Sequence, residues 1–281
     1  MMNLKRLAAI FLAIAFCGGA AAQINVNSLP QSSLVPGGIA VVPTRGDAVS
    51  GSYRDQRIML ARFGEEQYAI IGIPLDAEPG TQQLEITSRN GEESLLQFEV
   101  VHKQYRERHL TITNERQVNP NAEDMERIGR ESVEMRQAFS TWTESLAPDF
   151  AMSLPVDGVR SSSFGSRSFF NGQPRNPHSG MDIAAPEGTP ILAPAPGVIL
   201  TTGNYFFNGN TIIMDHGHGL ISLYCHMNTI DVEPGAVIAA GEQIGEVGST
   251  GRVTGPHLHW SVNLNNVRVD PALFLGENPA P

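Results

Sequence analysis

Thr211-Ile-Ile-Met-Asp-His-Gly-His-Gly-Leu-Ile-Ser-Leu-Tyr-Cys-His226 decides the fold class of the carboxy-terminal half. Two short apolar runs, Thr211-Ile-Ile-Met214 and Leu220-Ile-Ser-Leu-Tyr224, flank Asp215-His-Gly-His-Gly219, and such runs on either side of a glycine-rich turn spell a β-hairpin. His216 and His218 then read as solvent-facing turn residues rather than as ligands of a second metal. Strict alternation along the second strand turns Cys225 away from His226 and makes it a small buried apolar filler. Further out lie Thr189-Pro-Ile-Leu192, Gly197-Val-Ile-Leu200, Gly235-Ala-Val-Ile238 and His257-Leu-His-Trp-Ser-Val262, separated by glycine and proline. That pattern predicts an all-β domain over residues 151–281.

Six of the eight histidines, His178, His216, His218, His226, His257 and His259, fall in this half. In His257-Leu-His259 a strand places both rings on one face, with Trp260 on the opposite, core-facing side. His178-Ser-Gly-Met-Asp182 reads as a turn entering a strand, because Gly180 and Ile183-Ala-Ala-Pro186 disfavour a helix, and a spacing of four again returns to one face. Two imidazoles and a carboxylate leave a fourth tetrahedral position open, as a catalytic zinc requires. The helical His-Glu-x-x-His pattern of common zinc proteases occurs nowhere in the chain.

Ser163-Phe-Gly-Ser-Arg167, Asn171-Gly-Gln-Pro-Arg-Asn-Pro-His178-Ser-Gly-Met-Asp182-Ile, Leu223-Tyr-Cys-His226, Gly248-Ser-Thr-Gly251 and Gly255-Pro-His257-Leu-His259-Trp260 together resemble the lysostaphin/LytM family of zinc metallopeptidases. The resemblance covers roughly residues 155 to 275. It implies a groove over an antiparallel sheet, one zinc ion held by His178, Asp182 and His259, and catalytic roles for His226 and His257. It also implies a peptidoglycan substrate, cut in stem or cross-link peptides. Degenerate members of that family bind wall material or activate amidases without catalysis, and they typically lack the zinc ligands. This chain has all three, together with both further histidines. The chemistry agrees, since no glutamate adjoins the ligands and an imidazole, with its ordinary pKa of about 6.5, suits general acid or base work.

The amino-terminal half has a different texture. Residues 1–22 read as a secretory signal: Lys5 and Arg6 precede an apolar run too short to span a bilayer, and Ala20-Ala-Ala22 suits cleavage. With that leader removed, Cys225 is the one remaining cysteine, so no intramolecular disulfide can form, and no other run is long and apolar enough for a membrane anchor. Residues 23–113 contain Ile39-Ala-Val-Val42, Arg57-Ile-Met-Leu-Ala61, Tyr68-Ala-Ile-Ile-Gly-Ile73, Gln83-Leu-Glu-Ile86 and Leu95-Leu-Gln-Phe-Glu-Val-Val101, with a turn at Asn90-Gly91. They predict a small immunoglobulin-like β-sandwich, resembling one that precedes the peptidase domain in some exported members of the family. Residues 114–150 predict a helical linker capped by Asn121, with Met125, Ile128, Met135, Phe139, Trp142 and Leu146 on one face. Asn171 and Arg175 stand upstream of the first ligand as weaker candidates for substrate contact.

The 281 residues carry 19 Lys and Arg against 29 Asp and Glu, a net charge of -10. Nucleic-acid binders present a basic face, so that partner class is excluded. Like-charge repulsion from the anionic polymers of a thick wall, taken with the leader, points to the periplasm of a Gram-negative bacterium.

Overall fold

Leu96, Phe98 and Val100 turn inward while Gln97 and Glu99 face solvent, the period-two pattern that makes a strand bury one face. In the computed structural model, which describes residues 24–111 and 118–276, this segment is one of nine strands that precede the linker. They are β1 (Ile24–Asn25), β2 (Ile39–Pro43), β3 (Ala48–Tyr53), β4 (Gln56–Arg57), β5 (Met59–Phe63), β6 (Glu66–Gly72), β7 (Gly80–Ser88), β8 (Glu93–Val100) and β9 (Glu107–Leu110). The expected leader, residues 1–22, and part of the linker, residues 112–117, lie outside the described residues. Two four-stranded sheets, ordered β1-β5-β6-β2 and β4-β3-β7-β8, face each other across Ala40, Ile58, Ile71, Leu84, Ile86 and Phe98. The second hairpin turns at Asn90-Gly91, where Gly91 has φ +83° and its N–H donates to Ser88 O.

The carboxy-terminal half is built on a ten-stranded sheet. Its strands are β10 (Val159–Ser162), β13 (Met181–Ala184), β14 (Pro190–Leu192), β15 (Gly197–Tyr205), β16 (Gly209–Gly217), β17 (Leu220–Ile230), β18 (Val237–Ile238), β19 (Gln243–Val247), β20 (Leu258–Leu264) and β21 (Val267–Val269). The main path runs β10-β13-β20-β17-β16-β15-β18. A small sheet of β11 (Arg167–Phe170) and β12 (Gln173–Pro174) takes β9 as a parallel partner, with Arg167 opposite Glu107 and Phe169 opposite His109. The chain therefore joins the second half through β-pairing before the linker begins.

Alternation divides the large sheet into two faces. Tyr224, Trp260, Val262 and Met181 enter a core that also takes Ile24, Ile39, Met59 and Ile70 from the first half, so the two halves share apolar packing. Ile213, Ile221, Leu223 and Cys225 occupy the other face, beneath Phe139 of helix α1 (Ala122–Phe139).

Helix α1 begins as expected, with Asn121 Oδ1 accepting from Asp124 N at 2.8 Å, but it ends at Phe139. Trp142 and Leu146 thus lie beyond it and Met125 is 54% exposed, so only the carboxy-terminal part of the expected apolar stripe, Met135 and Phe139, docks on the sheet. Polar contacts add to it: Glu131 accepts from Phe206 N at 2.8 Å, and Glu134 accepts from Tyr205 Oη at 2.7 Å and Thr201 Oγ1 at 3.0 Å.

The segment after the helix crosses the 211–226 hairpin and overturns one expectation there. Trp142 packs edge-on against His218 with ring centroids 5.8 Å apart, Thr143 Oγ1 donates to Asp215 Oδ2 at 2.6 Å, and the Leu146 backbone closes over Gly217. His216 and His218 are consequently buried, not solvent-facing. His216 Nδ1 donates to Pro196 O at 2.7 Å, so its Nε2 accepts from Ser222 Oγ at 2.7 Å, and Ser222 Oγ accepts in turn from Tyr224 Oη at 2.8 Å. The turn is legible in the sequence; its cover comes from residues seventy positions away.

Candidate metal centre

Asp182 on β13 and His259 on β20 are directly opposed across an antiparallel ladder, which puts the two side chains on one face at cross-strand distance. Asp182 Oδ1 lies 2.8 Å from His259 Nδ1. His178, on the approach to β13, brings its Nε2 to 2.9 Å from Asp182 Oδ1 and 3.0 Å from His259 Nδ1. Gly180 permits this closeness, because a Cβ there would meet Trp260 O at 2.5 Å and His259 Nε2 at 2.8 Å.

The other ring nitrogens fix the tautomers. His178 Nδ1 lies 3.0 Å from the Ser163 carbonyl, which can only accept, so Nδ1 carries the proton and Nε2 presents a lone pair. His259 Nε2 lies 2.9 Å from Ser261 Oγ, whose own hydrogen is given to Ser179 O at 2.9 Å. Nε2 of His259 is therefore the donor, and its Nδ1 presents a lone pair as well. Two imidazole lone pairs and a carboxylate oxygen thus converge with no proton among them, an arrangement that is repulsive without a cation at its centre. Tetrahedral zinc with ligands at about 2.0–2.1 Å separates its donors by about 3.3 Å, close to the spacings here. The residues present could hold one such metal ion. Were either ring protonated, its hydrogen bond and charge would outweigh the burial that opposes a charged Asp182 and hold the carboxyl well below the usual range.

His226 reaches the same face by a β-bulge. On the β16–β17 ladder Asn210 pairs with Met227 and Ile212 with Tyr224, so Cys225 and His226 together oppose one residue. Cys225 pairs with His259 and so belongs to the metal-site face, where regular alternation would have sent His226 to the Trp260 side. His226 takes φ +64°, and the bulge re-aims its ring toward the site. The expectation that Cys225 and His226 point to opposite sides is corrected for this reason; Cys225 is nonetheless buried, 1% exposed, as expected. Trp260 is fully buried on the other face.

His226 Nδ1 donates to Thr250 O at 2.9 Å and His257 Nδ1 donates to Gly255 O at 2.9 Å. Each ring therefore turns its Nε2 toward the cleft, and that of His257 lies 3.9 Å from Asp182 Oδ1. Burial, reinforced by the His259 and His257 rings, pushes His226 down to about 3, so it is neutral at physiological pH. All five sequence-derived residues, His178, Asp182, His226, His257 and His259, line one cleft of about 380 Å³. Arg175 lines it too, with one Nη donating to Val118 O at 3.1 Å and Gln173 Oε1 at 2.9 Å. Ser261 escaped the sequence reading, although its position two residues beyond His259 on a strand already placed it beside that ring.

Two imidazoles and a carboxylate at the head of a β-sheet groove, with two more imidazoles alongside, form the architecture of a metallopeptidase. The chain belongs to peptidase family M23: residues 176–271 match that family and residues 32–103 match its N-terminal domain. A crystal structure of a candidate peptidase M23 from Pseudomonas aeruginosa is 39% identical, with a TM-score of 0.73, covering 88% of this chain and 97% of that one. The DD-carboxypeptidase/endopeptidase Mpg of Neisseria meningitidis serogroup B is 46% identical over 94 residues, 34% of this chain and 22% of Mpg. The peptidoglycan DD-endopeptidase ShyA of Vibrio cholerae serotype O1 is 42% identical over 86 residues, 31% of this chain and 20% of ShyA. The matched stretch thus spans about a fifth of the length of these curated relatives.

Proposed function

We propose that this chain is an exported zinc endopeptidase that hydrolyses peptide bonds in peptidoglycan stems or cross-links, with the D-Ala to diaminopimelate bond as its target. The observation that carries this reading is the convergence of three proton-free donors, from His178, Asp182 and His259, beside two histidines whose Nε2 atoms face the same cleft. The DD-endopeptidase names of Mpg and ShyA support the substrate class.

Zinc bound by His178, Asp182 and His259 would supply Lewis acidity at the head of the groove. His226 and His257, each held by a backbone carbonyl through Nδ1, offer Nε2 as a proton acceptor and can orient the attacking water. Once protonated, either ring can stabilise developing negative charge or return the proton to the leaving amine. Export by residues 1–22 and action in a Gram-negative periplasm complete the reading. No helix among the described residues is long and apolar enough to cross a membrane.

The test is incubation of the zinc-loaded protein with purified cross-linked sacculi, with and without a chelator, and mass spectrometry of the released muropeptides. Chelator-sensitive conversion of cross-linked dimers to monomers is the expected result. Intact cross-links after exposure to folded, metal-loaded protein would overturn the proposal.

A further inference from the structure

Two arginines, Arg175 and Arg252, line the same cleft as the three donors, in a chain whose net charge is -10. Arg252 lies over the Phe207 ring at 4.2 Å and the Phe170 ring at 5.2 Å, and Arg175 lies 5.7 Å from the same Phe170 ring. Two guanidinium groups therefore share one aromatic wall. Arg175 Nε is buried without a hydrogen-bond partner. Burial, with the Arg175 charge adding to it, pushes Arg252 down to about 10, so the local field disfavours its proton while leaving it charged at neutral pH. Asp182 is the one carboxylate among the described residues that line this cleft, and it is committed to the donor cluster. Positive charge is thus concentrated, partly desolvated, beside the reacting centre.

Guanidinium groups match a planar carboxylate with paired, charge-assisted hydrogen bonds, and partial burial strengthens them. The loop that carries Arg252 also carries the two carbonyls, Thr250 O and Gly255 O, that orient His226 and His257. A substrate group held by Arg252 would bear on the same loop that sets both rings. We infer that Arg175 and Arg252 form a carboxylate-binding subsite, selecting peptides that carry a free carboxylate close to the scissile bond. This inference rests on the peptidase reading and names what its substrate presents. The carboxylate is either that of a stem-residue side chain or the peptide's own C-terminus.

Calorimetric titration of the zinc-loaded full chain with three forms of L-Ala-γ-D-Glu-meso-diaminopimelate-D-Ala tests it. The α-carboxyl of D-Glu is amidated in all three; one form has its other two carboxylates free, one is also amidated at diaminopimelate, and one is also amidated at the terminal D-Ala. The expected result is at least about tenfold tighter binding of the free acid than of one amide, and the amide that suffers names the carboxylate. Arg252→Gln and Arg175→Gln should each bring that ratio to within about twofold of one. Arg175→Gln leaves the Arg252 stack on Phe207 in place, so it serves if Arg252→Gln does not fold. Equal affinities for all three forms would overturn the inference. So would a preference that survives in both variants, because the metal would then be its source. The titration reads binding alone: a preserved preference with intact sacculi would sink the endopeptidase reading and leave the subsite standing.

Discussion

His226 and His257 stand ring against ring, with centroids 4.8 Å apart, and each is tied through Nδ1 to a carbonyl of the 250–255 loop. Neither ring is needed to complete the three-donor cluster, and in the proposed reaction this pair is what moves the proton.

His226→Ala and His257→Ala should each retain zinc and lose hydrolysis by at least about 100-fold. Metal content measured beside the rate on sacculi checks this. Loss of zinc in either variant would move that histidine from the proton-handling pair to the ligand set.

Ser261→Ala should weaken zinc binding by about 10- to 100-fold. The Ser261 hydroxyl accepts from His259 Nε2, and without it His259 is free to place its proton on Nδ1, where it would block the metal. Competition against a calibrated chelator measures the effect, and unchanged affinity would show that the tautomer is fixed by something other than this hydroxyl.

The metal-free protein should lose stability as pH falls from 6.5 toward 4.5. Burial lowers the pKa of both His216 and His226, the latter to about 3, so the unfolded chain binds protons below 6.5 that the folded chain refuses. Stability is then lost as pH drops through the unfolded-state value, by about 2 kcal/mol at pH 5 for each histidine that stays neutral. Asp182 acts in the same direction only at lower pH, because its carboxyl protonates in the unfolded chain near 3.8. Thermal melts across this range check the slope, and a flat profile would contradict the buried, neutral state of the two rings.

A fragment beginning near Leu154 should melt well below the full chain. It would discard Phe150 and Met152, which pack with Phe274 and Leu275, along with the share of that core supplied by Ile24, Ile39, Met59 and Ile70. Each such side chain contributes about 1.5–3 kcal/mol through burial. Calorimetry of the two proteins compares them directly, and equal melting temperatures would show that the peptidase half stands alone.

The all-β character of the carboxy-terminal half, the helix start at Asn121 and the burial of Cys225 and Trp260 were legible in the sequence, whereas the set of residues around the candidate metal centre was expected from the family resemblance. The reason for the first group is local: alternation, turn glycines and a capping side chain each act over a few residues, and a strand's period of two places His257 and His259 on one face without reference to the rest of the chain. What tertiary structure decided lay across long separations. The cover over His216 and His218 comes from the segment after α1, whose own sequence pattern imitates a longer helix. The bulge that brings His226 to the face of His259 depends on one extra residue opposing Thr211 on the neighbouring strand. The tautomers of His178 and His259 depend on Ser163 and Ser261, and the crowding of Arg175 with Arg252 depends on a shared Phe170. A sequence specifies which groups a chain owns and how its near neighbours alternate; ladder register and the packing of distant segments decide which of those groups meet.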